Sequence, residues 1–366
     1  MRFAFDDQQR EFAGAVRELL DGACDPASVR ECWTNATGHS AHRWQLLADM
    51  GVTGLTVPEG HGGLGMGELD WVLVMEETGR AALPEPIVET VAVAAPMLAE
   101  FAPTELAAEW LSRIADGSAI VAVQHQGKPF VVSGGYADLL LLASGNEMHA
   151  VPRADVRIVS EQVSVDGARR IVEVDWHKRP ATLIAGGEAG YRCINASFDR
   201  GALGTAAQLL GLTDRMLSTT VAYVKEREQF GVPIGSFQAV KHHLADALMA
   251  LEFARPVVYR AAYSLAHGAP HRSRDVSMAK AYASDAATHV AAVALQCHGA
   301  IAYTVEYDLH LFMKRAWALA ASWGDASWHR QRVAMSVLGP PPSGGTSSRA
   351  STPAPSEAAP LGETLA

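Results

Sequence analysis

The sequence has few of the features that mark membrane, secreted or metal-binding proteins. Its 366 residues include four cysteines, Cys24, Cys32, Cys193 and Cys297, which form no CxxC pair and have no metal-ligand spacing. Cysteines scattered in this way are typical of free thiols in a reducing compartment. The apolar runs, such as 91–98, are far shorter than the roughly 18 residues of a membrane span, and the charged start lacks a signal-peptide core. We therefore expect a cytoplasmic protein with no metal site and no membrane contact.

The chain also lacks an excess of basic charge. Thirty lysines and arginines stand against forty acidic residues, so the formal net charge is −10 and the isoelectric point is near 5.8. A chain this acidic has no general attraction for nucleic acid or anionic lipid. The glycines of GHGGLG, residues 60–65, precede no strand-to-helix phosphate turn, and no Walker-type phosphate loop is present either. Any phosphate-binding site must therefore be local and of another kind.

What is present is an ordinary globular composition, with 49% hydrophobic and 19% charged residues, arranged in four stretches. Residues 1–116 have apolar side chains at helical spacing, interrupted by a glycine-rich segment that we interpret as an ordered loop. Residues 117–198 carry short β-rich runs separated by turn signals. Helical spacing resumes over 199–338 in long alanine-rich segments that favour a bundle. Residues 339–366 are rich in Pro and Ser and predict a disordered tail.

Several local strings match this order. Residues 47–86 read LADMGVTGLTVPEGHGGLGMGELDWVLVMEETGRAALPEP, and the spacing of their Gly, Pro and Glu residues resembles a signature of the acyl-CoA dehydrogenase family. Residues 225–247 and 296–316 resemble that family's RxxFGxxxxxFQ and QxxGGxGY blocks. The resemblance covers roughly residues 5–338. It implies a mainly α fold with a middle β-domain: an N-terminal helical domain, a small, shortened β-barrel or sandwich, and a C-terminal four-helix bundle.

The two C-terminal blocks carry the implied cofactor site. In the family, such residues reach across a subunit interface and hold the pyrophosphate and adenosine end of FAD. The resemblance assigns this role to Arg227, Gln229, Phe230, Phe237, Gln238, Gln296, Cys297, His298, Gly299 and Ala300.

Elementary chemistry agrees with that assignment. Arg227 offers a fork of donors suited to phosphate, Phe230 offers a flat apolar wall, and a helix start near Gln238 presents free N–H groups to an anion. Without the resemblance, Arg227 is read as a solvated charge at a helix end and Phe230 as core. Gly299 is then read as a C-cap, and its neighbour Ala300 replaces the second glycine of the family block.

The pattern fails at the catalytic base. Desaturation of an acyl thioester needs a base for the α-proton while a hydride leaves Cβ. One branch of the family places a glutamate where this chain has Trp323, and another branch places it at or near Gly201. Neither residue has an ionisable oxygen.

Three acids lie near these positions as substitute candidates: Asp325, Asp199 and Glu306. Each also has an ordinary interpretation. Asp325 caps the last helix, with His329 at the surface one turn later; Asp199 pairs with Arg200 or caps its helix; and Glu306 belongs to a connecting turn.

The resemblance therefore implies an FAD-dependent acyl-CoA dehydrogenase subunit that carries out α,β-desaturation of an acyl-CoA in lipid or steroid side-chain catabolism. The missing base implies a composite site in a heterotetramer with a second dehydrogenase subunit, although a homo-oligomer stays open. Two alternatives remain at this stage. One is a non-catalytic structural partner of a dehydrogenase, and the other is a flavin monooxygenase or nitroalkane-oxidase-like enzyme on the same fold.

Overall fold

The computed structural model describes residues 4–124 and 129–339, and it begins with a helical domain. Its helices are α1 (Asp7–Ala23), α2 (Pro26–Thr34), α3 (Ala41–Asp49), α4 (Glu68–Arg80), α5 (Ala95–Phe101) and α6 (Thr104–Ala115), with a π-helix (Val88–Ala94) leading into α5. Short side chains start the first three helices, because Asp6, Asp25 and Ser40 each accept a hydrogen bond from a backbone N–H of the first turn. The helical interpretation of this region is confirmed.

The glycine-rich segment between α3 and α4 is an ordered loop, as predicted. Gly62 and Gly65 have φ of 84° and 63°, which glycine adopts without steric cost. An added Cβ at Gly63 would lie 2.2 Å from the carbonyl oxygen of Val57, so the loop folds tightly on itself. It leads directly into α4.

The middle region contains two small sheets. Its strands are β1 (Val121–Val123), β2 (Phe130–Val132), β3 (Leu139–Ser144), β4 (Glu147–Pro152), β5 (Arg157–Gln162), β6 (Ile171–Asp175) and β7 (Leu183–Ala185). They pair in the orders β1-β3-β4-β7 and β2-β6-β5, and every pairing is antiparallel except that of β1 with β3. Leu139–Leu142 of β3 are fully buried, so this sheet packs into the common core.

Long helices build the last part of the chain. They are α7 (Gly187–Glu226), α8 (Gln238–Ala266), α9 (Arg272–His298), α10 (Leu309–Ala320) and α11 (Ala326–Leu338), with a hairpin of β8 (Glu228–Gln229) and β9 (Val232–Pro233) between α7 and α8. The first of them begins at Gly187, before the expected domain boundary after residue 198, and it runs unbroken to Glu226 through four internal glycines. The predicted tail lies, apart from Gly339, outside the described residues.

Two glycines join the N-terminal domain to this bundle. An added Cβ at Gly211 of α7 would lie 1.8 Å from the carbonyl oxygen of Glu76, and one at Gly79 of α4 would lie 2.0 Å from the carbonyl oxygen of Gln208. The backbones of α4 and α7 therefore touch where they cross. This contact fixes α7 just past its midpoint, about ten residues after Gly201. None of the helices in the described part of the chain is long and apolar enough to cross a membrane.

Candidate functional site

The most exposed aromatic side chain of the site lies at the tip of the β8–β9 hairpin. Phe230 and Gly231 form the turn with φ of 55° and 79°. The Phe230 side chain is 93% exposed. Its ring meets the ring of Phe237 edge to face, with 6.1 Å between centroids. A large apolar side chain held in a strained turn and facing solvent indicates a surface that packs against something else.

Donors surround this aromatic pair. Helix α8 begins at Gln238, as predicted, and no side chain caps its first turn, so its N–H groups are free to meet an anion. Arg227 caps the C-terminus of α7 with its own N–H, which donates to the carbonyl of Tyr223 at 2.8 Å. Its exposed guanidinium forms no ion pair with any described residue. Gln229 is also exposed beside it.

The second cofactor block lies at the end of α9. Gln296, Gly299 and Ala300 are exposed, and Gly299 has a positive φ of 68°. Cys297 is half-buried. The residues of this block that the resemblance assigns to FAD thus include both surface and interior positions.

His298 is the interior member, and it joins the two blocks. Its ring stacks on Tyr223 at 4.2 Å between centroids, one helical turn before Arg227. Nδ1 lies 2.8 Å from the carbonyl oxygen of Ala294, and Nε2 lies 3.0 Å from the hydroxyl of Tyr307. Burial lowers its pKa, which favours the neutral ring. His298 therefore holds the end of α9 against the end of α7, and a direct role at FAD stays a prediction.

The two positions that the resemblance assigns to the family's base, Gly201 and Trp323, are in direct contact here. An added Cβ on Gly201 would lie 2.4 Å from ring atoms of Trp323, so the indole covers the glycine face of α7. Trp323 is 2% exposed, and its ring also meets Phe198 edge to face. One side chain thus fills the space that serves both positions.

The three substitute acids are engaged elsewhere in the fold. The carboxylate of Asp199 accepts hydrogen bonds from Arg332, at 2.6 Å, and from the hydroxyl of Ser273. The expected pairing of Asp199 with Arg200 is wrong, because Arg200 binds Glu68 of α4 at 2.9 Å while Asp199 binds Arg332.

The other two acids follow their ordinary interpretations. Asp325 caps α11 by accepting the N–H of Trp328 at 2.8 Å, as expected. Glu306 lies in a solvent-exposed turn, where hydrogen bonds from its own backbone and from Thr304 lower its pKa. A catalytic role for any of the three acids stays a prediction.

Two buried side chains behind Trp323 were missed by sequence reasoning. Lys280 is fully buried, and its Nζ donates to the carbonyls of Ala320 and Gly324 at 3.0 and 3.1 Å and to Ser284. The expected surface position of His329 is wrong: the ring is fully buried and its Nε2 lies 2.8 Å from the carbonyl oxygen of Trp323. The available signal for Lys280 was that it is a lone lysine within the alanine-rich stretch of α9.

A small polar cavity adjoins this cluster. It measures about 20 Å³ and is bordered by Glu89 of the π-helix, by Arg169 and Arg315, and by residues beside Trp323 and along α7, among them Ser322 and Gln208. Arg315 donates to Asp166 at 2.8 Å. A cavity of this size holds about one water molecule. Neither a flavin ring nor an acyl chain fits there.

The residues of this chain therefore fit one end of FAD and not the other. The open hairpin, the uncapped α8 N-terminus and the Arg227 guanidinium suit a pyrophosphate with an aromatic base beside it. The indole of Trp323 fills the space beside Gly201, and the small cavity next to Ser322 leaves no room for the ring system.

Two family models and a curated relative identify one family. Residues 6–118 match the model "Acyl-CoA dehydrogenase, N-terminal domain" and residues 188–338 match "Acyl-CoA dehydrogenase, C-terminal domain". The chain is 34% identical to acyl-CoA dehydrogenase IpdE2 of Mycolicibacterium smegmatis, over 88% of this chain and 96% of that protein.

Solved structures share the fold. A chain of the ChsE4-ChsE5 complex from Mycobacterium tuberculosis superposes with a TM-score of 0.83 at 24% identity, over 93% of this chain and all of that chain. The Tcur3481-Tcur3483 steroid ACAD superposes with a TM-score of 0.80 at 25% identity, over 89% of this chain and 96% of the other. The chain therefore belongs to the acyl-CoA dehydrogenase family of FAD-dependent oxidoreductases.

Proposed function

We propose that this chain is one of two unlike subunits of an acyl-CoA dehydrogenase that desaturates the α,β bond of a lipid or steroid-type acyl-CoA. It contributes the grip on the nucleotide end of FAD, and the partner contributes the base and the space for the flavin ring. The observation that carries the proposal is the contact between Trp323 and Gly201, which leaves both base positions without a carboxylate. We also infer a cytoplasmic location, because all four cysteines are free thiols.

The grip is a set of contacts that this chain offers at its surface. The Arg227 guanidinium and the first N–H groups of α8 would hold the pyrophosphate, because both point donors at an anion. The rings of Phe230 and Phe237 would pack against the adenine, and the exposed ends of Gln238 and Gln296 offer further hydrogen bonds. FAD, when bound, supplies the hydride acceptor of the reaction.

The proton side of the reaction needs a group that this chain does not offer at the reacting centre. An indole cannot accept the α-proton of a thioester, and the carboxylate of Asp199 is held by Arg332. The α-proton must therefore be removed by a carboxylate of another subunit. The similarity to the solved Tcur3481-Tcur3483 steroid ACAD supports the two-subunit arrangement and a steroid-type substrate, and the similarity to acyl-CoA dehydrogenase IpdE2 supports an acyl-CoA.

The experiment is the flavin-to-protein ratio of this chain purified alone and co-purified with a second acyl-CoA dehydrogenase subunit. One FAD per pair of unlike chains, with little flavin on this chain alone, is the expected result. One FAD per chain in the isolated protein would contradict the composite site.

A variant tests the grip itself. Arg227→Ala removes a charge-assisted phosphate contact of about 1.5–3 kcal/mol, so FAD affinity should fall roughly ten- to a hundredfold. Arg10→Ala, which removes an exposed arginine of α1, is the matched control and should leave the affinity unchanged. Equal flavin retention in both variants would exclude Arg227 from the site.

A further inference from the structure

We propose that Trp323 is a plug that closes this chain's own cleft, so that this subunit admits neither an acyl thioester nor a flavin ring in its interior. The inference deepens the proposed function and rests on it only in taking Gly201 and Trp323 as the reacting-centre positions. It explains why the chain presents its cofactor contacts outward.

The first step is the mutual exclusion of the two positions. Any side chain at Gly201 would overlap the indole, since even a Cβ would lie 2.4 Å from its ring atoms. The indole in turn is 2% exposed and packs against Phe198, so it fills the hollow rather than lining it. Close packing of this kind leaves no space for a ligand.

The second step is the way the plug is held. The turn that carries Trp323 is held by the side-chain amine of Lys280, which donates to the carbonyls of Ala320 and Gly324. His329 binds the carbonyl of Trp323 itself. These hydrogen bonds hold the backbone of the turn, so the turn cannot move outward without breaking buried contacts.

The third step is the backbone of the turn. Trp323 has φ of 52° and Gly324 has φ of 87°. An added Cβ at Gly324 would lie 2.9 Å from Nε2 of His329 and from the ring of Trp328. A bulky residue in the left-handed region persists only where its surroundings over-determine it. The turn is therefore built to keep this ring inside.

The fourth step concerns the space behind the plug. The cavity next to Ser322 holds about one water molecule and is bordered by the charged side chains of Glu89, Arg169 and Arg315. Charged side chains do not suit an acyl chain, because an acyl chain needs an apolar lining. The space behind the indole is therefore also closed to an acyl chain.

The wild-type chain tests the plug without any variant. A redox-inert dodecyl-CoA thioether, titrated into the chain purified alone and followed by calorimetry, should show no binding. Titrated into the co-purified pair, it should saturate at one molecule per two unlike chains. One bound thioether per isolated chain, or two per pair, would overturn the plug.

Lysine labelling tests the closure by a second route. Burial lowers the pKa of Lys280 to about 7, so at pH 8 its amine is mostly uncharged and nucleophilic, and only the fold protects it. With formaldehyde and a borane reductant at pH 8, Lys280 should stay unmethylated while exposed Lys241 reacts. In Trp323→Ala, methylation of Lys280 should rise toward the rate of Lys241.

Controls keep this outcome specific. Trp317→Ala removes a partly exposed tryptophan of the neighbouring helix and should leave Lys280 protected. Trp323→Phe, which keeps most of the ring, is the variant to use if Trp323→Ala does not fold, and it should raise methylation less than full removal. Rapid methylation of Lys280 in the wild-type protein, or full protection in a folded Trp323→Ala protein, would refute the closure.

The outcome of the Lys280 labelling is independent of whether Arg227 holds FAD. If Arg227→Ala retains flavin while Lys280 stays protected, the proposed function fails and the plug stands. If Lys280 is accessible while Arg227→Ala loses flavin, the plug fails and the proposed function stands.

Discussion

Two turns of this molecule have the same backbone and opposite surroundings. Phe230-Gly231 and Trp323-Gly324 each place an aromatic residue in the left-handed region, with φ of 55° and 52°, followed by a glycine with φ of 79° and 87°. Phe230 is 93% exposed and Trp323 is 2% exposed. The same strained conformation thus presents one ring to solvent and presses the other into the interior.

The difference shows where the strain is compensated. A non-glycine residue in this region costs about 1–2 kcal/mol. For Trp323 the burial of the indole and the hydrogen bonds of Lys280 and His329 offset that cost within the chain. For Phe230 no burial within the chain offsets it, so we infer that a bound group or a second subunit does. One turn closes a site and the other offers one.

The largest expected effect comes from removing the buried ring. Trp323→Ala should lower the free energy of unfolding by about 3–5 kcal/mol, because it leaves a cavity beside Gly201. Trp317→Ala, at a partly exposed position, should cost far less. Urea denaturation of both variants measures the difference. Equal losses in the two variants would mean that the Trp323 hollow can collapse or refill.

The contact between the two base positions can be tested next. Gly201→Ala should lower the free energy of unfolding by about 1–3 kcal/mol, because the added methyl overlaps the Trp323 ring. In a Trp323→Ala background the same substitution should cost nothing or stabilise, since the overlap is gone. Gly14→Ala, in open space on α1, should stabilise by about 0.5–1 kcal/mol and is the helix control. Additive effects of Gly201→Ala and Trp323→Ala would show that the two side-chain positions do not interact.

The contribution of His329 to the free energy of unfolding should depend on pH. Burial lowers the pKa of His329 to about 3, while the unfolded chain binds a proton there near pH 6.5. Between these values the unfolded state holds more protons, so stability falls as the pH is lowered through that window, by about 1.4 kcal/mol per pH unit from this group. Urea midpoints from pH 7 to 4 should show a shallower slope in His329→Gln. Parallel slopes would show that His329 titrates normally.

The smallest effect should have the opposite sign. Phe230→Gly should raise the free energy of unfolding of the isolated chain by about 1 kcal/mol, because glycine adopts the turn without strain and no buried contact is lost. Flavin retention of the co-purified pair should fall at the same time. A clear loss of stability would show that the Phe230 ring packs within this chain.

Much of the fold followed from local patterns. The helices before residue 116, the glycine loop before α4 and the β-rich middle stretch are where periodicity and turn residues predicted them. These features depend on neighbours in sequence, which is why they were readable. The start of α7 was placed too late, because residues 188–198 have helical character that the adjoining β-rich run obscured.

Some residues of the candidate site could be predicted from the sequence, and others could not. Arg227, Phe230 and Gln238 were assigned through the resemblance of residues 225–247 to a family block, and the structure brings them to one exposed hairpin and helix start. Lys280 and His329 could not be placed, because a lysine or histidine on a helix is ordinarily at the surface. Their burial depends on which helix covers them, and no local pattern encodes that.

The sequence by itself determined the family, the order of helices and strands, and the lack of a carboxylate at Gly201 and Trp323, because each of these is a matter of which residue stands at which position. Only the tertiary structure decided that the two lost positions meet. Gly201 and Trp323 are far apart in the chain, and their contact requires α7 to pass beside the turn between α10 and α11. Packing at that crossing turned two separate substitutions into one closed interior.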